Sequence, residues 1–214
     1  MKTCIIFCAA GFDALVAPIP PDALTIAADG GFSHTQTLGI HPDAILGDFD
    51  SLGYVPEDSR VFPVEKDDTD AMLAVRLGLE RGCSEFLLYG AMDGPRLDHT
   101  VANFQTLAYL AEHNARGWLI GKDYIATVAS RETLSFDPDC TGILSCFCLG
   151  RDITDLTLEG LKYPLTHGTL TAAFPLGVSN HFVGRAARVT VGDGLLLLLW
   201  DRSNGLCRRS FFEV

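Results

Sequence analysis

Three short acidic segments in the first half of the chain hold the side chains best suited to chemistry. They are Gly47-Asp48-Phe49-Asp50-Ser51, Lys66-Asp67-Asp68-Thr69-Asp70 and Arg96-Leu97-Asp98-His99. Carboxylates that converge can hold a hard divalent cation, because Mg²⁺ prefers a few carboxylate oxygens together with water and substrate phosphates. Lys66 and Arg96 stand beside these carboxylates and could hold phosphate oxygens. The three segments therefore predict a site for a metal ion and a polyphosphate.

The spacing of the carboxylates predicts which of them meet. If the backbone around Asp48 and Asp50 is extended, both side chains point to the same side, since strand residues alternate with period two. If Asp67 lies near the entry to a helix, Asp70 lies one turn further in and shares its face. Each pair could then share one ion.

Turn and cap chemistry is the competing interpretation of the same residues. Asp is common in turns, so Gly47 to Ser51 alone is most often an ordinary turn. Asp67 to Asp70 suits the start of a helix, where Thr69 or Asp68 could cap the first turn. Capping does not explain the third cluster, Arg96 to Asn103, which supplies Arg, Asp, His and Asn together at a predicted helix start. The combination favours the metal and phosphate site.

Composition excludes several classes of protein. The chain has 214 residues, 48% of them apolar, which is enough for one large or two small domains. Its formal net charge is −11 and it has no basic run, so nucleic acid is not an expected partner. Apolar runs such as Leu195 to Trp200 are far shorter than the roughly 20 residues of a membrane helix. No membrane association and no cleaved leader are expected.

The seven cysteines point to a reducing compartment. Their number is odd, and no pair has the Cys-x-x-Cys spacing of a zinc or redox site. We expect them to be reduced packing residues in a cytoplasmic protein.

Apolar strands alternate with helical segments up to about residue 125. Strands are predicted at Cys4–Ala9, Thr25–Ala28, Ala44–Leu46, Val61–Val64 and Glu85–Ala91, and helices at Ser33–Leu38, Asp70–Arg81 and Leu97–His113. This alternation predicts a Rossmann-like α/β domain, residues 1–125, with a parallel sheet covered by helices. Ligands bind beyond the carboxyl ends of the strands in such sheets, and the polar segments follow strands. A single cleft could therefore collect them.

After residue 125 the pattern changes to short strands separated by turns. Strands are predicted at Thr133–Phe136, Ile143–Cys148, Leu156–Leu158, Thr169–Ala173, Ala187–Val191 and Gly194–Trp200. Gly192-Asp193-Gly194 between the last two predicts a hairpin. The expected second domain, residues 126–214, is an all-β sandwich or a partly closed barrel.

Five motifs in order resemble those of the thiamine pyrophosphokinase (thiamine diphosphokinase) family. They are Ala28-Asp29-Gly30-Gly31, Gly47 to Ser51, Lys66 to Asp70, Gly94-Pro95-Arg96-Leu97-Asp98-His99-Thr100-Val101-Ala102-Asn103 and Ser179-Asn180-His181-Phe182. The resemblance spans both predicted domains and agrees with an α/β domain followed by a β domain. It implies transfer of the pyrophosphoryl group of ATP to the hydroxyl of thiamine, with Mg²⁺, in a homodimer.

The resemblance also implies roles for individual residues. The expected catalytic residues are Asp48, Asp50, Asp67, Asp70, Arg96 and Asp98, of which the first four would hold Mg²⁺. The expected ATP-binding residues are Asp29, Gly30, Lys66, Thr69, Arg96, His99 and Asn103. Asp29 would support the metal centre, whereas Asp68 occupies a variable place in the motif and is left out. Asp98 would orient the thiamine hydroxyl or a metal-bound water.

The β domain is expected to contribute the thiamine pocket and the dimer contact. Asp98, Ser179, Asn180 and Trp200 are the expected thiamine-binding residues, with Trp200 chosen because a cationic thiazolium favours an aromatic face. A packed core position is the alternative for this tryptophan. Two segments depart from the family pattern: Gly90 to Pro95, where a more glycine-rich loop is usual, and Gly121-Lys122-Asp123-Tyr124.

Other enzyme and binding classes remain open from the residues alone. A Mg²⁺-dependent pyrophosphohydrolase, or a pyrophosphokinase acting on another alcohol such as a hydroxymethylpterin, could use the same acidic centre. A non-catalytic nucleotide- or thiamine-binding module explains the sequence less well, because so many carboxylates would repel a phosphate without a metal. A P-loop kinase is excluded, since no Gly-x-x-x-x-Gly-Lys-Ser/Thr segment is present.

Overall fold

The computed structural model describes residues 1–50, 52–63 and 67–212. The chain divides into two compact units, Met1–Lys122 and Asp123–Val214. The predicted strand Val61–Val64 and the motif residues Ser51 and Lys66 fall wholly or partly outside the described residues. Within the described part of the chain, no helix is long and apolar enough to cross a membrane.

The first unit contains a parallel sheet, as predicted. Its strands are β1 (Thr3–Phe7), β2 (Leu24–Ala28), β3 (Ala44–Gly47), β4 (Arg60–Val61), β5 (Glu85–Tyr89) and β6 (Arg116–Ile120). Their order in the sheet is β6-β5-β1-β2-β3-β4, and every neighbouring pair is parallel. Strands β1 and β2 are almost continuously buried, which is expected when both faces of a sheet are covered.

Strand β6 was missing from the sequence prediction. Its first residues, Arg116 and Gly117, are poor strand formers, yet both lie in the sheet. A Cβ at Gly117 would lie 2.6 Å from Leu110 and 2.7 Å from Leu107. The glycine is therefore explained by close packing of a helix on the strand, which local propensity does not reveal.

Three helices accompany the sheet: α1 (Gly31–Leu38), α2 (Asp70–Glu80) and α3 (Leu97–Glu112). All three were predicted to within two residues. The hydroxyl of Thr69 caps α2 by accepting a hydrogen bond from the Met72 N–H at 3.2 Å, as expected for one of the two candidate caps. Ala74 and Val75 are fully buried on the inner face of α2, and burial of a valine side chain stabilises the fold by roughly 1.5–3 kcal/mol.

The parallel order places the loop after every strand at one edge of the sheet, and five of these loops follow neighbouring strands. These loops follow β6, β5, β1, β2 and β3, in that spatial order, because each of these strands runs in the same direction. They carry, respectively, Lys122, the segment from Gly90 to Arg96, the segment from Cys8 to Gly11, Asp29, and the pair Asp48 and Asp50. The carboxyl edge of the sheet therefore gathers most of the predicted polar residues.

The second unit is built from antiparallel strands, as predicted. They are β7 (Tyr124–Ala129), β8 (Glu132–Phe136), β9 (Ile143–Leu149), β10 (Ile153–Glu159), β11 (Leu165–Leu170), β12 (Asn180–His181), β13 (Ala187–Val191), β14 (Leu195–Asp201) and β15 (Arg208–Phe211). Strands β12-β9-β14-β7 form one layer and β11-β10-β13-β8-β15 form the other. Phe136 and Trp200, one from each layer, meet edge-on with ring centroids 5.3 Å apart in the core.

The predicted hairpin at Gly192-Asp193-Gly194 is wrong. Strand β13 pairs with β10 and β8, whereas β14 pairs with β7 and β9 in the other layer. The turn is instead a crossing between layers, where Arg131 contacts Asp193 at 2.6 Å and its N–H donates to the Gly192 carbonyl. Both strands have long-range partners on each side, and those partners determine the pairing over the local turn signal.

Candidate active site

Three carboxylates meet where β2 and β3 end. One side-chain oxygen from each of Asp29, Asp48 and Asp50 lies within 4.8 Å of the other two. Asp29 and Asp48 are half-buried and Asp50 is exposed. The sequence predicted Asp48 and Asp50 as a pair and gave Asp29 only a supporting place, but the structure puts all three in one cluster.

Gly47 explains why the two strand ends come so close. A Cβ at this position would lie 2.9 Å from the Cα of Asp29, and Gly47 has a φ of +152°. The N–H of Asp29 donates to the carbonyl of Leu46 at 2.8 Å, which ties the ends together. Glycine is needed here for the close approach of two backbones.

The turn after β3 differs from the extended backbone considered for Asp48 and Asp50. Phe49 between them has a φ of +60°, in the left-handed region, so the period-two alternation of a strand does not apply. The aromatic ring of Phe49 is buried, which compensates for an unfavourable backbone conformation. The two carboxylates converge through this turn, and the N–H of Asp50 donates to Asp48 Oδ1 at 3.3 Å.

A cavity of about 540 Å³ lies beside the acidic cluster in the first unit. Its walls come from the loops at the carboxyl edge and from the first turns of α2 and α3. Seven residues predicted from the sequence line it: Asp29, Asp50, Thr69, Asp70, Arg96, His99 and Asn103. Among the described residues, Asp48, Gly30, Asp67 and Asp98 are not part of its lining.

The structure separates Asp67 from Asp70. Helix α2 begins at Asp70, so Asp67 precedes it and the rule that residues three apart share a helix face does not apply. Asp67 is exposed, whereas Asp70 is half-buried and faces the cavity. Asp68 pairs with Arg76 at 3.2 Å, which agrees with leaving it out of the site.

Arg96 and Asp98 form a bidentate pair at the start of α3. Arg96 Nη2 contacts Asp98 Oδ2 at 2.5 Å, and Arg96 Nε donates to Asp98 Oδ1 at 3.2 Å. The hydrogen bonds from Arg96 hold the pKa of the Asp98 carboxyl below its usual range, so Asp98 is ionised near neutral pH. The pair is largely exposed, and Arg96 alone of the two lines the cavity.

Asn103 fixes the loop that precedes α3. Its side chain is buried in the second turn of the helix, and Nδ2 donates to the carbonyl of Ala91 at 2.7 Å. Ala91 and His99 both line the cavity. In this structure Asn103 thus shapes the cavity wall.

Cys8 is a lining residue that the sequence analysis missed. It directly follows β1, and burial together with the nearby carboxylates of Asp70 and Asp29 raises the pKa of its thiol to about 12. The thiol is therefore neutral, mainly because it is buried and further because Asp70 and Asp29 are near it. Its place after a strand of a parallel sheet was the available signal.

The residues predicted for thiamine in the second unit lie in three different environments. Ser179 is exposed, with a φ of +60°, and its N–H donates to Ser145 Oγ. Asn180 is buried, and its side-chain amide forms two hydrogen bonds with the backbone of Tyr163. Its Oδ1 accepts from the Tyr163 N–H at 2.9 Å, and its Nδ2 donates to the Tyr163 carbonyl at 2.8 Å. Trp200 is fully buried, and its Nε1 donates to the carbonyl of Gly205. Its position fits the packed-core alternative.

Two family models match this chain in succession. The model described as "Thiamin pyrophosphokinase, catalytic domain" matches residues 20–119, and the model described as "Thiamin pyrophosphokinase, vitamin B1 binding domain" matches residues 131–196. The chain belongs to the thiamin pyrophosphokinase family. This confirms the resemblance drawn from the five motifs and identifies the chain as an enzyme of the thiamine pyrophosphokinase class.

Individual relatives agree with the family assignment. A thiamine pyrophosphokinase from Bacillus subtilis is 29% identical over 187 residues, covering 82% of this chain and 86% of the relative. A crystal structure of the Bacillus subtilis thiamine pyrophosphokinase has a TM-score of 0.79 at 25% identity, covering 94% of this chain and 99% of the other. A second crystal structure, from Geobacillus thermodenitrificans, has a TM-score of 0.73 at 25% identity, covering 93% and 96%.

The acidic cluster fits the metal-dependent use of ATP expected of a kinase in the thiamin pyrophosphokinase family. Asp29, Asp48 and Asp50 offer only carboxylate oxygens, which are hard ligands. Their oxygens are close enough to share one ion, and the adjoining cavity leaves room for phosphate oxygens to complete its shell.

Proposed function

We propose that this chain transfers the pyrophosphoryl group of ATP to the hydroxyl of thiamine, giving thiamine diphosphate and AMP, with Mg²⁺ as the metal. The observation that carries the proposal is the cluster of three carboxylates beside a cavity that also contains Arg96. The family assignment supplies the acceptor and the class of reaction.

Asp29, Asp48 and Asp50 are the proposed Mg²⁺ ligands, and Asp70 supports them from the first turn of α2. The bound ion would neutralise phosphate charge and orient the polyphosphate. Without a cation these carboxylates would repel ATP, so nucleotide binding and metal binding are expected to depend on each other. Asp67 and Lys66 stay predictions, the first because it lies outside the cavity lining and the second because it lies outside the described residues.

In the proposed reaction, the thiamine hydroxyl oxygen forms a bond to the β-phosphorus. The bond between that phosphorus and the oxygen bridging it to the α-phosphate breaks, and AMP leaves with the electron pair. Arg96 is proposed to bind the phosphate oxygens through its planar guanidinium. Catalysis of this kind depends mainly on positioning and on neutralising developing charge, so no protein nucleophile is needed.

Asp98 is proposed to orient the thiamine hydroxyl. Its pairing with Arg96 favours the carboxylate form, which can accept a hydrogen bond from the hydroxyl. A depressed pKa makes Asp98 a weak base, so its role is orientation, and the hydroxyl proton passes to solvent water as the new bond forms. Ser179 is the remaining exposed candidate for thiamine in the second unit.

We also propose a cytoplasmic homodimer that binds no nucleic acid. The net charge of −11 argues against contact with a phosphate backbone. Tyr163, Phe174 and Leu176 of the second unit are each more than half exposed, as expected for residues that a second copy could cover. Light scattering that gives the 23.1 kDa mass of one chain at micromolar concentration would contradict the dimer.

The reaction is tested by incubating the protein with ATP and Mg²⁺, with and without thiamine. The expected result is AMP and thiamine diphosphate only when thiamine is present, and neither product when EDTA replaces Mg²⁺. Thiamine-independent release of AMP would instead identify a pyrophosphohydrolase. Turnover with a hydroxymethylpterin but not with thiamine would identify another acceptor.

A further inference from the structure

The two segments that depart from the family pattern contact each other. Asp93, in the loop after β5, accepts a hydrogen bond from the backbone N–H of Lys122, which follows β6, at 2.8 Å. Gly121 makes this contact possible, because a Cβ there would lie 2.2 Å from the same carboxylate oxygen. Asp93 itself has a φ of +63°. The two segments are therefore held together by this hydrogen bond, in which Asp93 fixes the position of the backbone at Lys122.

With its backbone held by Asp93, Lys122 extends its side chain toward the wall of the cavity. Its Cε lies 2.9 Å, and its Nζ 3.5 Å, from the point that a Cβ on Gly11 would occupy. Gly11 directly follows Ala10, and both Ala10 and Gly94 line the cavity. The Cβ of Ala10 lies 3.3 Å from the point that a Cβ on Gly94 would occupy. The lysine thus occupies the space that the missing side chain of Gly11 leaves beside the cavity.

Lys122 and the acidic cluster lie at different places along the carboxyl edge of the sheet. The acidic cluster lies at the ends of β2 and β3, whereas Lys122 follows β6, three strands away from β2. The charged groups lie closer together than these strand ends, because the ammonium of Lys122 reaches back to Gly11, which follows β1, the neighbour of β2. A nucleotide with its β- and γ-phosphates at the acidic end would extend its α-phosphate and nucleoside toward the lysine.

Lys122 is also available for a ligand. Among the described contacts, no carboxylate pairs with the ammonium of Lys122. Its side chain is exposed at the rim. An ammonium with three donors suits a phosphate oxygen.

We propose that Lys122 binds the α-phosphate of the nucleotide, the phosphate that remains in AMP. This inference rests on the proposed function. When the bond between the β-phosphorus and the bridging oxygen breaks, the electron pair stays on the oxygen of the α-phosphate. The ammonium of Lys122 stabilises the growing charge without giving up a proton, and Asp93 acts as its positioning residue.

The test measures binding of AMP and of adenosine, with Mg²⁺ present throughout, by isothermal titration calorimetry. Lys122→Met is expected to weaken AMP binding about tenfold or more, as for loss of a hydrogen bond to a charged group, and to leave adenosine binding unchanged. Lys2→Met is the matched control, because Lys2 lies at the opposite edge of the same sheet, where its Nζ donates to the Arg81 carbonyl. Lys122→Arg should retain most of the affinity for AMP.

A second pair of variants separates positioning from general damage to the fold. Asp93→Ala should lower the preference for AMP over adenosine in the same direction as Lys122→Met, and Asp93→Asn, which keeps an acceptor oxygen, should restore it. Equal AMP affinity in Lys122→Met and wild type overturns the proposal, as does an equal loss of adenosine binding or no AMP binding by the wild type. These results are independent of the thiamine-dependent turnover that tests the proposed function.

Discussion

At the scale of single residues, the site is a balance of carboxylates and cations. Asp29, Asp48 and Asp50 place three negative charges within a few ångströms, and Asp70 adds a fourth at the cavity wall. Like charges in a partly buried site repel, and a bound cation offsets that repulsion. The strength of metal binding should therefore depend on each carboxylate in the cluster.

Asp29→Asn tests the residue whose part in the cluster came from the structure. We expect the Mg²⁺ concentration needed for half-maximal turnover to rise about 10- to 100-fold, because one charged ligand becomes neutral. Direct titration with Mn²⁺ in the absence of ATP should show weaker binding. Asp68→Asn is the matched control, since Asp68 pairs with Arg76. A variant at Asp29 that folds normally and keeps the wild-type metal dependence would remove Asp29 from the centre.

At the scale of elements, strand ends and helix starts bring the functional side chains together. The ends of strands β2 and β3 come into contact at Gly47, and the turn through Phe49 brings the carboxylates of Asp48 and Asp50 together. The hydroxyl of Thr69 caps the first turn of α2. Asn103 ties the loop before α3 to the helix itself. These local contacts hold the site, so a change of backbone here should affect function without touching a charged group.

Gly47→Ala should move Asp29 away from Asp48 and Asp50. The new Cβ would lie 2.9 Å from the Cα of Asp29, and moving a backbone atom to relieve this clash costs more free energy than moving a flexible side chain. We expect turnover to fall at least tenfold and the free energy of unfolding to fall by about 1–3 kcal/mol, measured by steady-state kinetics and urea denaturation.

Gly39→Ala is the control for backbone strain alone. Gly39 has a φ of +66°, and a Cβ there meets nothing within 4 Å. Its alanine variant should lose about 1 kcal/mol of stability while keeping the wild-type Mg²⁺ dependence. If both variants behave alike in turnover, strain and not the contact with Asp29 explains the effect.

At the scale of the whole molecule, each unit has its own buried core, and the second unit adds a buried ion pair. Arg209 of β15 makes a bidentate contact with Glu132 of β8, and both side chains are only 2% exposed. The same guanidinium donates to Thr127 Oγ1 at 2.7 Å and to the carbonyl of Val128 at 2.8 Å, both on β7 of the other layer. One side chain thus links the two layers of the sandwich.

Arg209→Met should destabilise the second unit strongly. Removing the guanidinium leaves the carboxylate of Glu132 buried without its cation, which costs about 3–5 kcal/mol in the free energy of unfolding. Arg208→Met is a closely matched control, because Arg208 pairs with Asp137 in an exposed contact and its loss should change stability little. Urea denaturation of the two variants checks the difference. Equal stability of both would show that the buried pair does not hold the layers together.

Much of the architecture could be predicted because it depends on patterns of apolar and polar residues that are local in the sequence. The alternation of apolar strands with helical segments predicted the parallel sheet, and the apolar run ending at Gly82 predicted α2 almost to the residue. Strand β6 was missed because its glycine is set by a helix packed on it. The hairpin at Asp193 was wrong because strand partners far away in the chain determined the pairing.

The sequence by itself determined the chemistry available to this protein: hard oxygen ligands, cations for phosphate, and an α/β segment followed by a β segment. Only the tertiary structure decided which side chains meet, bringing Asp29 into the acidic cluster, leaving Asp67 outside the cavity lining and enclosing Trp200 in the core. The physical reason is range. Backbone preference and hydrophobic period act over a few neighbouring residues, whereas the convergence of loops depends on the order of strands in the sheet and on contacts between distant segments.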